Sequence, residues 1–314
     1  MTNGTTSDRI HMTSAEARAL GEAAMRGAGF DEDDARILTD HVMDAALCGY
    51  EYSGLPKLLN VVDEPRFRQP RRPVSVVRES GATALLDGGN NNGMIAAYRA
   101  TEQTIARAGF VTIHTVASPP SVAPFGGTRP ALGTNPIAFG FPTEGDPLVI
   151  DMGTSAFMGT DLQYRARLGT PIPEGVALGP NGHPTTDANA ARRGALLPFG
   201  GPEGGYKGFG LALAMDAIGA LAVGARAADD IGGYLFIAFK PDLFVPAEDY
   251  RREVSRRIET IKANPRQDGM GEIRIPGERA YRTRASLLLD GIEIDRKIHL
   301  ALGRLAEGKL DHGA

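Results

Sequence analysis

The sequence PFGGPEGGYKGFG (Pro198–Gly210), which runs directly into LALAMDAIGALAVG (211–224), decides how the rest of the chain is interpreted. Its six glycines surround one lysine, Lys207. Glycine lets backbone N–H groups approach a ligand closely, and a helix N-terminus favours negative charge. We therefore predict an anion-binding turn that presents Lys207 at the start of a buried helix, Leu211–Val223. The alternative is a tight turn that only precedes a core helix.

Composition restricts the class of protein. The chain has 314 residues, 42% of them apolar, and a net charge of −4 with acidic and basic residues interleaved, so neither a nucleic-acid partner nor a membrane partner is expected. It has no run of about 18 apolar residues, and its polar start, MTNGTTSDRIHM, favours the cytoplasm. A single cysteine, Cys48, excludes an internal disulfide, and with only six histidines no metal site is expected.

Capping and turn signals divide the chain into a helical part and a mixed part. Residues 1–12 are expected to form a disordered tail, and a capping box at Thr13–Glu16 then begins the first helix. Two more helices follow at 31–49 and 55–62. Beyond the prolines at 65–73, strands are predicted at 74–78, 82–87, 110–116, 137–141, 148–152, 234–239 and 272–275, and helices at 94–108, 154–167, 247–263, 277–291 and 295–306. No glycine fingerprint follows the first strand, so a doubly wound dinucleotide fold is not predicted.

Seven stretches carry a resemblance to a known family: LLDGGNNNGMIAAYRA (85–100), SPPSVAPFGG (118–127), LGTNPIAF (132–139), LVIDMGTS (148–155), GTPIPEGVAL (169–178), GALLPFGGPEGGYKGFGLALAMD (194–216) and IPGERA (275–280). In this order they resemble the malate/L-lactate dehydrogenases of the non-Rossmann kind, which include ureidoglycolate and sulfolactate dehydrogenases and diketogulonate and piperideine-2-carboxylate reductases. The resemblance implies a mixed α/β fold with a helical domain formed from both chain ends, residues 13–72 and 280–314. It implies a cofactor- and substrate-binding domain at 73–279, a homodimer, NAD or NADP, and a small carboxylate substrate.

The resemblance also assigns a cofactor role to three motifs. These are the end of the strand that contains Asp151, the pair at Lys207, and a turn near Gly277; the residues are Asp151, Met152, Gly153, Thr154, Ser155, Lys207, Gly208, Gly277, Glu278 and Arg279. Elementary chemistry agrees, because a carboxylate accepts hydrogen bonds from ribose hydroxyls and a lysine neutralises a phosphate. The alternative for Asp151 is a helix cap for the segment that begins at Thr154.

The chain departs from the family where the family carries its catalytic motif, D-S-H-G-x-x-R-L. Residues 51–58 read EYSGLPKL, so Ser53 replaces the catalytic histidine, Tyr52 the serine, and Lys57 the arginine that holds a substrate carboxylate. Tyrosine, with a pKa of about 10, is a stronger acid than serine. Lys57 keeps the positive charge but loses the bidentate fork. These three residues are candidate catalytic residues, expected to share a pocket with the Gly200–Lys207 turn; alternatively Tyr52 only fills vacated space.

A second departure lies after the helix predicted at 94–108. A block that supplies another active-site histidine in the family is missing, because this helix runs directly into the strand Phe110–Val116. His114 on that strand is a further candidate catalytic residue, facing the vacated space, unless it is only an exposed strand residue.

Three functions remain open. The first is an atypical NAD(P)-dependent oxidoreductase that reduces a small 2-oxo acid or a cyclic imine carboxylate. The second is a repurposed member that performs isomerisation, decarboxylation or elimination on a carboxylated substrate. The third is a catalytically inactive structural or regulatory subunit. The motifs on the cofactor side favour the first, whereas the lost histidine and the missing block favour the other two.

Overall fold

A computed structural model describes residues 8–104, 110–223 and 233–313, and the chain divides into two compact units, residues 1–104 with 280–314 and residues 105–279. The strands are β1 (Arg9–Met12), β2 (Ser75–Ser80), β3 (Thr83–Asp87), β4 (Val111–Ala117), β5 (Ile137–Phe141), β6 (Leu148–Met152), β7 (Ala177–Leu178), β8 (Ala195–Leu196), β9 (Gly233–Phe239) and β10 (Ile292–Asp295). The helices are α1 (Ser14–Gly27), α2 (Glu32–Leu47), α3 (Pro56–Asp63), α4 (Gly93–Thr104), α5 (Gly159–Leu168), α6 (Ala188–Arg193), α7 (Gly201–Val223), α8 (Ala247–Lys262), α9 (Glu278–Asp290) and α10 (Arg296–Ala306).

The first unit is a helical cluster closed by the two ends of the chain. Thr13 caps α1 and forms the predicted capping box with Glu16. Helices α1, α2, α3 and α10 pack around a shared apolar core of Met25, Leu38, Met43, Leu58, Leu59, Ile298 and Leu302. Strands β1 and β10 pair antiparallel, from Arg9 with Asp295 to Met12 with Ile292. Residues 9–12, expected in a disordered tail, are therefore part of a strand, because β10 supplies the partner that the local sequence does not reveal.

The first unit also contains the β2–β3 hairpin and α4, and so extends to Thr104 rather than to residue 72. All six residues of β2 are exposed. The last residues of the helix predicted over 94–108 lie outside the described part of the chain.

The second unit is built on an antiparallel sheet with strand order β6-β5-β4-β9. Its antiparallel pairing confirms that the fold is not a doubly wound dinucleotide fold. Helix α7 packs against one face of β4 and β9. Thr115 Oγ1 donates to Met215 Sδ at 3.1 Å, and Gly219 lies so close to Ala117 that a Cβ atom there would overlap it. Strand β4 therefore presents Thr115 and Ala117 to α7, and its alternate residues, among them His114, to the opposite face.

Helix α7 differs from the prediction in its start and in its burial. It begins at Gly201 rather than Leu211, so most of the glycine-rich stretch is helical. One side is buried at Gly208, Ala212 and Met215, while Leu213 and Leu221 on other sides are 50% and 73% exposed. The predicted buried helix is thus a half-exposed one. Across the described ranges, no helix is long and apolar enough to cross a membrane.

Two further predictions in the second unit were wrong. The segment 272–275 forms no strand, and the helix predicted from Thr154 begins at Gly159. Met158 rather than Asp151 precedes α5, so the alternative that Asp151 caps this helix does not hold.

Candidate active site

The end of β6 and the start of α7 are tied together by backbone hydrogen bonds. The Phe199 N–H donates to the Thr154 carbonyl at 3.1 Å, and the Ala156 N–H donates to the Leu197 carbonyl at 2.7 Å. Two of the motifs assigned to the cofactor, 151–155 and 207–208, are therefore neighbours in the second unit although they are far apart in sequence.

Within the first of these motifs, the hydroxyl groups hold the loop in place. Thr154 is buried and donates through Oγ1 to the Thr134 carbonyl at 2.8 Å. Ser155 is also buried, and its Oγ donates to the Phe157 carbonyl at 2.7 Å. Asp151 and Met152 are exposed. Asp151 is therefore the acidic group that this motif presents at the surface.

Lys207 lies in the second turn of α7 and not in a glycine turn, so that prediction was wrong. The turn itself is Gly200 and Gly201, whose φ angles of 110° and 66° favour glycine. Gly208 is buried against the backbone of Phe199, which explains why a residue without Cβ follows the lysine.

The surface of α7 beside Lys207 is open to a ligand. Lys207 is exposed, and Cβ atoms placed on Gly204 or Gly210 would meet no atom within 4 Å. A ligand can therefore approach the helix backbone on either side of the ammonium group. Lys207 Nζ lies 5.8 Å from the centre of the Tyr206 ring, which is a stacking surface on the same turn.

One row of the sheet brings Asp151 and His114 onto a common face. Asp151 pairs with Ala138, Ala138 with His114, and His114 with Phe236, so these four residues cross β6, β5, β4 and β9 in line. Directly paired residues of an antiparallel sheet point to the same side. This side is opposite to α7, and the small Ala138 leaves the space between Asp151 and His114 unfilled by a large side chain.

His114 is half-buried in this row. Its ring meets the Phe236 ring edge to face at a centroid distance of 4.9 Å. Burial lowers the pKa of His114, and the negative charge of Asp151 opposes that effect. At neutral pH the imidazole is therefore uncharged, as a proton acceptor must be.

The third cofactor motif, 277–279, is held by structural contacts. Glu278 accepts a hydrogen bond from the Ile275 N–H at 3.1 Å and forms an ion pair with Lys262. Gly277 has a φ angle of 94°, so the turn before α9 favours glycine. These contacts account for Gly277 and Glu278 without a ligand; the cofactor role of this motif, Arg279 included, stays a prediction.

In the first unit, residues 51–58 form a short turn and the beginning of α3. Tyr52 and Ser53 are half-buried in a single 3-10 turn, Glu51–Ser53, and Lys57 lies in the first turn of α3. The Tyr52 ring meets Tyr50 edge on at 6.2 Å. The expected common pocket of Tyr52, Ser53 and Lys57 with residues 200–207 spans the two units and stays a prediction.

The structure adds one residue that the sequence analysis did not select. His41 Nε2 lies 3.5 Å from Lys57 Nζ. The two residues are 16 positions apart, so no short motif connects them. The two consecutive helices predicted at 31–49 and 55–62 are the only signal that brings this part of α2 near the start of α3. Throughout the described ranges there is no cluster of three or more side chains suited to a metal ion.

Comparison with known proteins decides the family. The family model described as malate/L-lactate dehydrogenase matches residues 12–109 and 102–302. The chain belongs to the malate/L-lactate dehydrogenase family. This family member is 32% identical to the L-sulfolactate dehydrogenase of Methanocaldococcus jannaschii, over 86% of this chain and 89% of the relative. It is 38% identical to the Delta(1)-pyrroline-2-carboxylate/Delta(1)-piperideine-2-carboxylate reductase of Pseudomonas aeruginosa, over 65% of this chain and 63% of that relative.

Solved structures agree with this assignment. A dehydrogenase from Sinorhizobium meliloti is similar with a TM-score of 0.82 and 27% identity, covering 96% of this chain and 99% of that one. The predicted family and the mixed α/β fold class of a malate/L-lactate dehydrogenase are therefore confirmed. The relatives are dehydrogenases and reductases, so the candidate residues belong to a family of oxidoreductases.

Proposed function

We propose that the protein is an NAD(P)-dependent oxidoreductase that reduces a small 2-oxo acid or a cyclic imine carboxylate. The observation that carries this proposal is the β6–α7 junction, where Phe199 bonds to Thr154 and the open glycines flank Lys207. It presents an exposed carboxylate and an exposed ammonium group on one unit. A dinucleotide offers the matching groups, ribose hydroxyls and phosphates.

The proposed roles of the residues follow from their chemistry. Lys207 would neutralise a phosphate, and Gly204 and Gly210 would let that phosphate approach the backbone of α7. Asp151 would accept hydrogen bonds from a ribose. Bound NADH or NADPH would supply the hydride. The neutral His114 lies in line with Asp151 on the sheet face opposite to α7, beside the place proposed for the ribose.

The lost histidine favours the imine over the 2-oxo acid. A carbonyl that accepts hydride becomes an alkoxide and needs a proton in the same step, which a neutral-range acid such as histidine supplies. A cyclic imine protonated on nitrogen accepts hydride and becomes a neutral amine without a proton from the protein. Ser53 is therefore tolerable for an imine substrate, and Tyr52 is the proposed proton donor for a carbonyl. The similarity to the Pseudomonas reductase supports the imine class.

We also propose, on two grounds, that this chain lacks the family segment that carries a second active-site histidine. The family model matches in two pieces that overlap at 102–109, the place where the family's second histidine segment is expected. In addition, few residues separate Thr104, which lies in α4, from Val111, where β4 begins. A non-redox activity is the second candidate function, because Ser53 occupies the place of the histidine that would supply a proton when a carbonyl accepts hydride.

Binding of reduced cofactor tests the proposal directly. The chain contains no tryptophan, so NADH and NADPH emission can be followed without energy transfer from that residue. We expect one of the two cofactors to bind with a blue shift and increased intensity. Lys207→Ala should weaken this binding roughly 10- to 150-fold, the effect of removing a charged contact of about 1.5–3 kcal/mol. Lys240→Ala, which removes another exposed lysine of the same unit, should not. If neither NADH nor NADPH binds, the redox proposal is refuted.

We also propose a homodimer. The apolar residues exposed on α7, among them Leu213 and Leu221, support a protein surface that a second copy covers. Light scattering should give twice the mass of one 33.2 kDa chain at micromolar concentration. A monomer alone under these conditions would contradict the proposal.

A further inference from the structure

His41 and Lys57 approach each other across the turn that joins α2 to α3. His41 lies on the third turn of α2 and Lys57 on the first turn of α3. Their side-chain nitrogens, Nε2 and Nζ, are 3.5 Å apart. Two basic groups at this distance repel each other if both are charged, so their charge states decide what the pair can do.

The imidazole is the neutral member of the pair. The pKa of His41 is lowered to about 4, first because neighbouring atoms crowd the ring although the residue is exposed at the surface of α2, and second because Lys57 carries a positive charge; Asp44 opposes this effect. An ammonium group can only donate hydrogen bonds, so Nε2 is the acceptor and the ring proton lies on Nδ1. At neutral pH the pair is therefore a charged lysine beside a neutral histidine.

The acidic groups on the surrounding elements are engaged with other cations. Asp44, one turn beyond His41, pairs with Arg284, and Asp40 pairs with Arg18 and Arg36. Glu51 in the turn pairs with Arg9 at 2.9 Å. Among the charged groups around His41, Lys57 has the largest effect on the pKa of the ring, and Asp44 opposes it.

We propose that Lys57 Nζ and His41 Nε2 together form a carboxylate site that takes the place of the guanidinium fork of the family motif. The inference rests on the proposed function for the identity of the carboxylate, that of a 2-oxo acid or a cyclic imine. An ammonium group has three donors, so Lys57 can contact His41 and a carboxylate oxygen together. A single lysine lacks the two parallel donors of arginine, and a second nitrogen nearby replaces the missing one.

The carboxylate itself changes the second nitrogen from an acceptor into a donor. Its negative charge offsets the positive charge of Lys57. A carboxylate in contact with a histidine ring raises the pKa of that histidine by about 1 to 2. His41 then takes one proton from solvent onto Nε2, so the hydrogen bond from Lys57 is released and the new Nε2–H donates a hydrogen bond to the second carboxylate oxygen. The proton returns to solvent when the ligand leaves. Binding therefore includes proton uptake, and carboxylate affinity increases as the pH falls from 6.5 towards 5.

Oxamate, a 2-oxo acid analogue that cannot be reduced at its amide carbonyl, is the probe, and the neutral oxamide is the matched control ligand. Side-chain NMR resolves the six histidines of the chain, and His41→Gln assigns the His41 signal. In the wild type, oxamate should raise the pKa of His41 by about 1 or more, whereas oxamide should not. Calorimetry at pH 5 in buffers of different ionisation enthalpy should show net proton uptake with oxamate.

Variants separate this role from a structural one. His41→Gln should abolish proton uptake and weaken oxamate binding at pH 5 roughly two- to tenfold, with no pH dependence left between 5 and 6.5. Lys57→Met should raise the pKa of His41 without any ligand and remove its response to oxamate. Lys57→Arg should make oxamate binding insensitive to a second change at His41, because the fork is restored.

The outcome is independent of the cofactor test. A His41 signal that does not respond to oxamate, or no oxamate binding at all, overturns the carboxylate site even if NADH or NADPH binds. A His41 response in a protein that binds neither cofactor keeps the carboxylate site and refutes the redox proposal alone. A pKa of His41 unchanged in Lys57→Met overturns the pairing itself.

Discussion

The β6–α7 junction and the segment Glu51–Leu58 differ in how closely their sequences match the family motifs. The junction keeps the pattern nearly unchanged, and most of its residues have packing roles: Thr154 bonds to Thr134, and Gly208 lies against Phe199. In the segment 51–58, the resemblance predicts that Ser53, Tyr52 and Lys57 stand where the family motif has a histidine, a serine and an arginine. We expect a pattern that packing requires to survive a change of chemistry, whereas a pattern that only chemistry requires need not. Retained glycines are therefore weaker support for cofactor binding than the exposed Lys207.

The largest expected effect, and the first test of the difference between the two regions, concerns the turnover rate. We expect turnover with malate, lactate or ureidoglycolate to be lower by about 10²–10⁴-fold than the roughly 10 per second of an ordinary enzyme, because Ser53 cannot act as the histidine does. Reduced-cofactor absorbance measures it, with a cyclic imine carboxylate as the comparison substrate. Ordinary turnover with any of the three hydroxy acids would show that the motif histidine is dispensable here.

The fold was largely predictable because its signals are local. The capping box at Thr13 predicted the start of the first helix, and the strands predicted at 137–141 and 148–152 have the bounds that the structure gives them. The errors arose where tertiary contacts override local preference. Glycines disfavour a helix by about 1 kcal/mol each, which predicts a turn at 200–210. In the structure, α7 begins at Gly201, ten residues earlier than predicted. The helix packs so closely on the backbone of Phe199 that only glycine fits at position 208. This tertiary contact explains a glycine inside the helix, which local preference alone would place in a turn.

The candidate site was predictable only where a motif carries it. The resemblance selected Asp151, Lys207 and Lys57, and the structure then supplied their neighbours. His41 escaped prediction because its partner lies across a turn, and because a histidine inside a helix carries no signal of its own. The row from Asp151 to His114 depends on strand register, which short strands with polar and apolar residues on both faces do not specify.

The smallest expected effect is on stability. It tests the claim that packing of α7, rather than ligand binding, requires its glycines. A Cβ atom on Gly208 would overlap the Phe199 carbonyl and lie 2.7 Å from its backbone nitrogen, so the backbone must move. Gly208→Ala should destabilise the second unit by about 1–3 kcal/mol. Gly210→Ala, in the same helix with nothing within 4 Å, should instead stabilise it by about 0.5–1 kcal/mol through helix propensity.

Circular dichroism against denaturant measures both variants, since the chain has no tryptophan to report unfolding by fluorescence. Opposite signs for two glycines only two positions apart would assign Gly208 to packing and leave Gly210 as open surface beside Lys207. Equal effects of either sign would contradict this division. The retained glycines would then have to be explained by a ligand and not by the contact between α7 and Phe199.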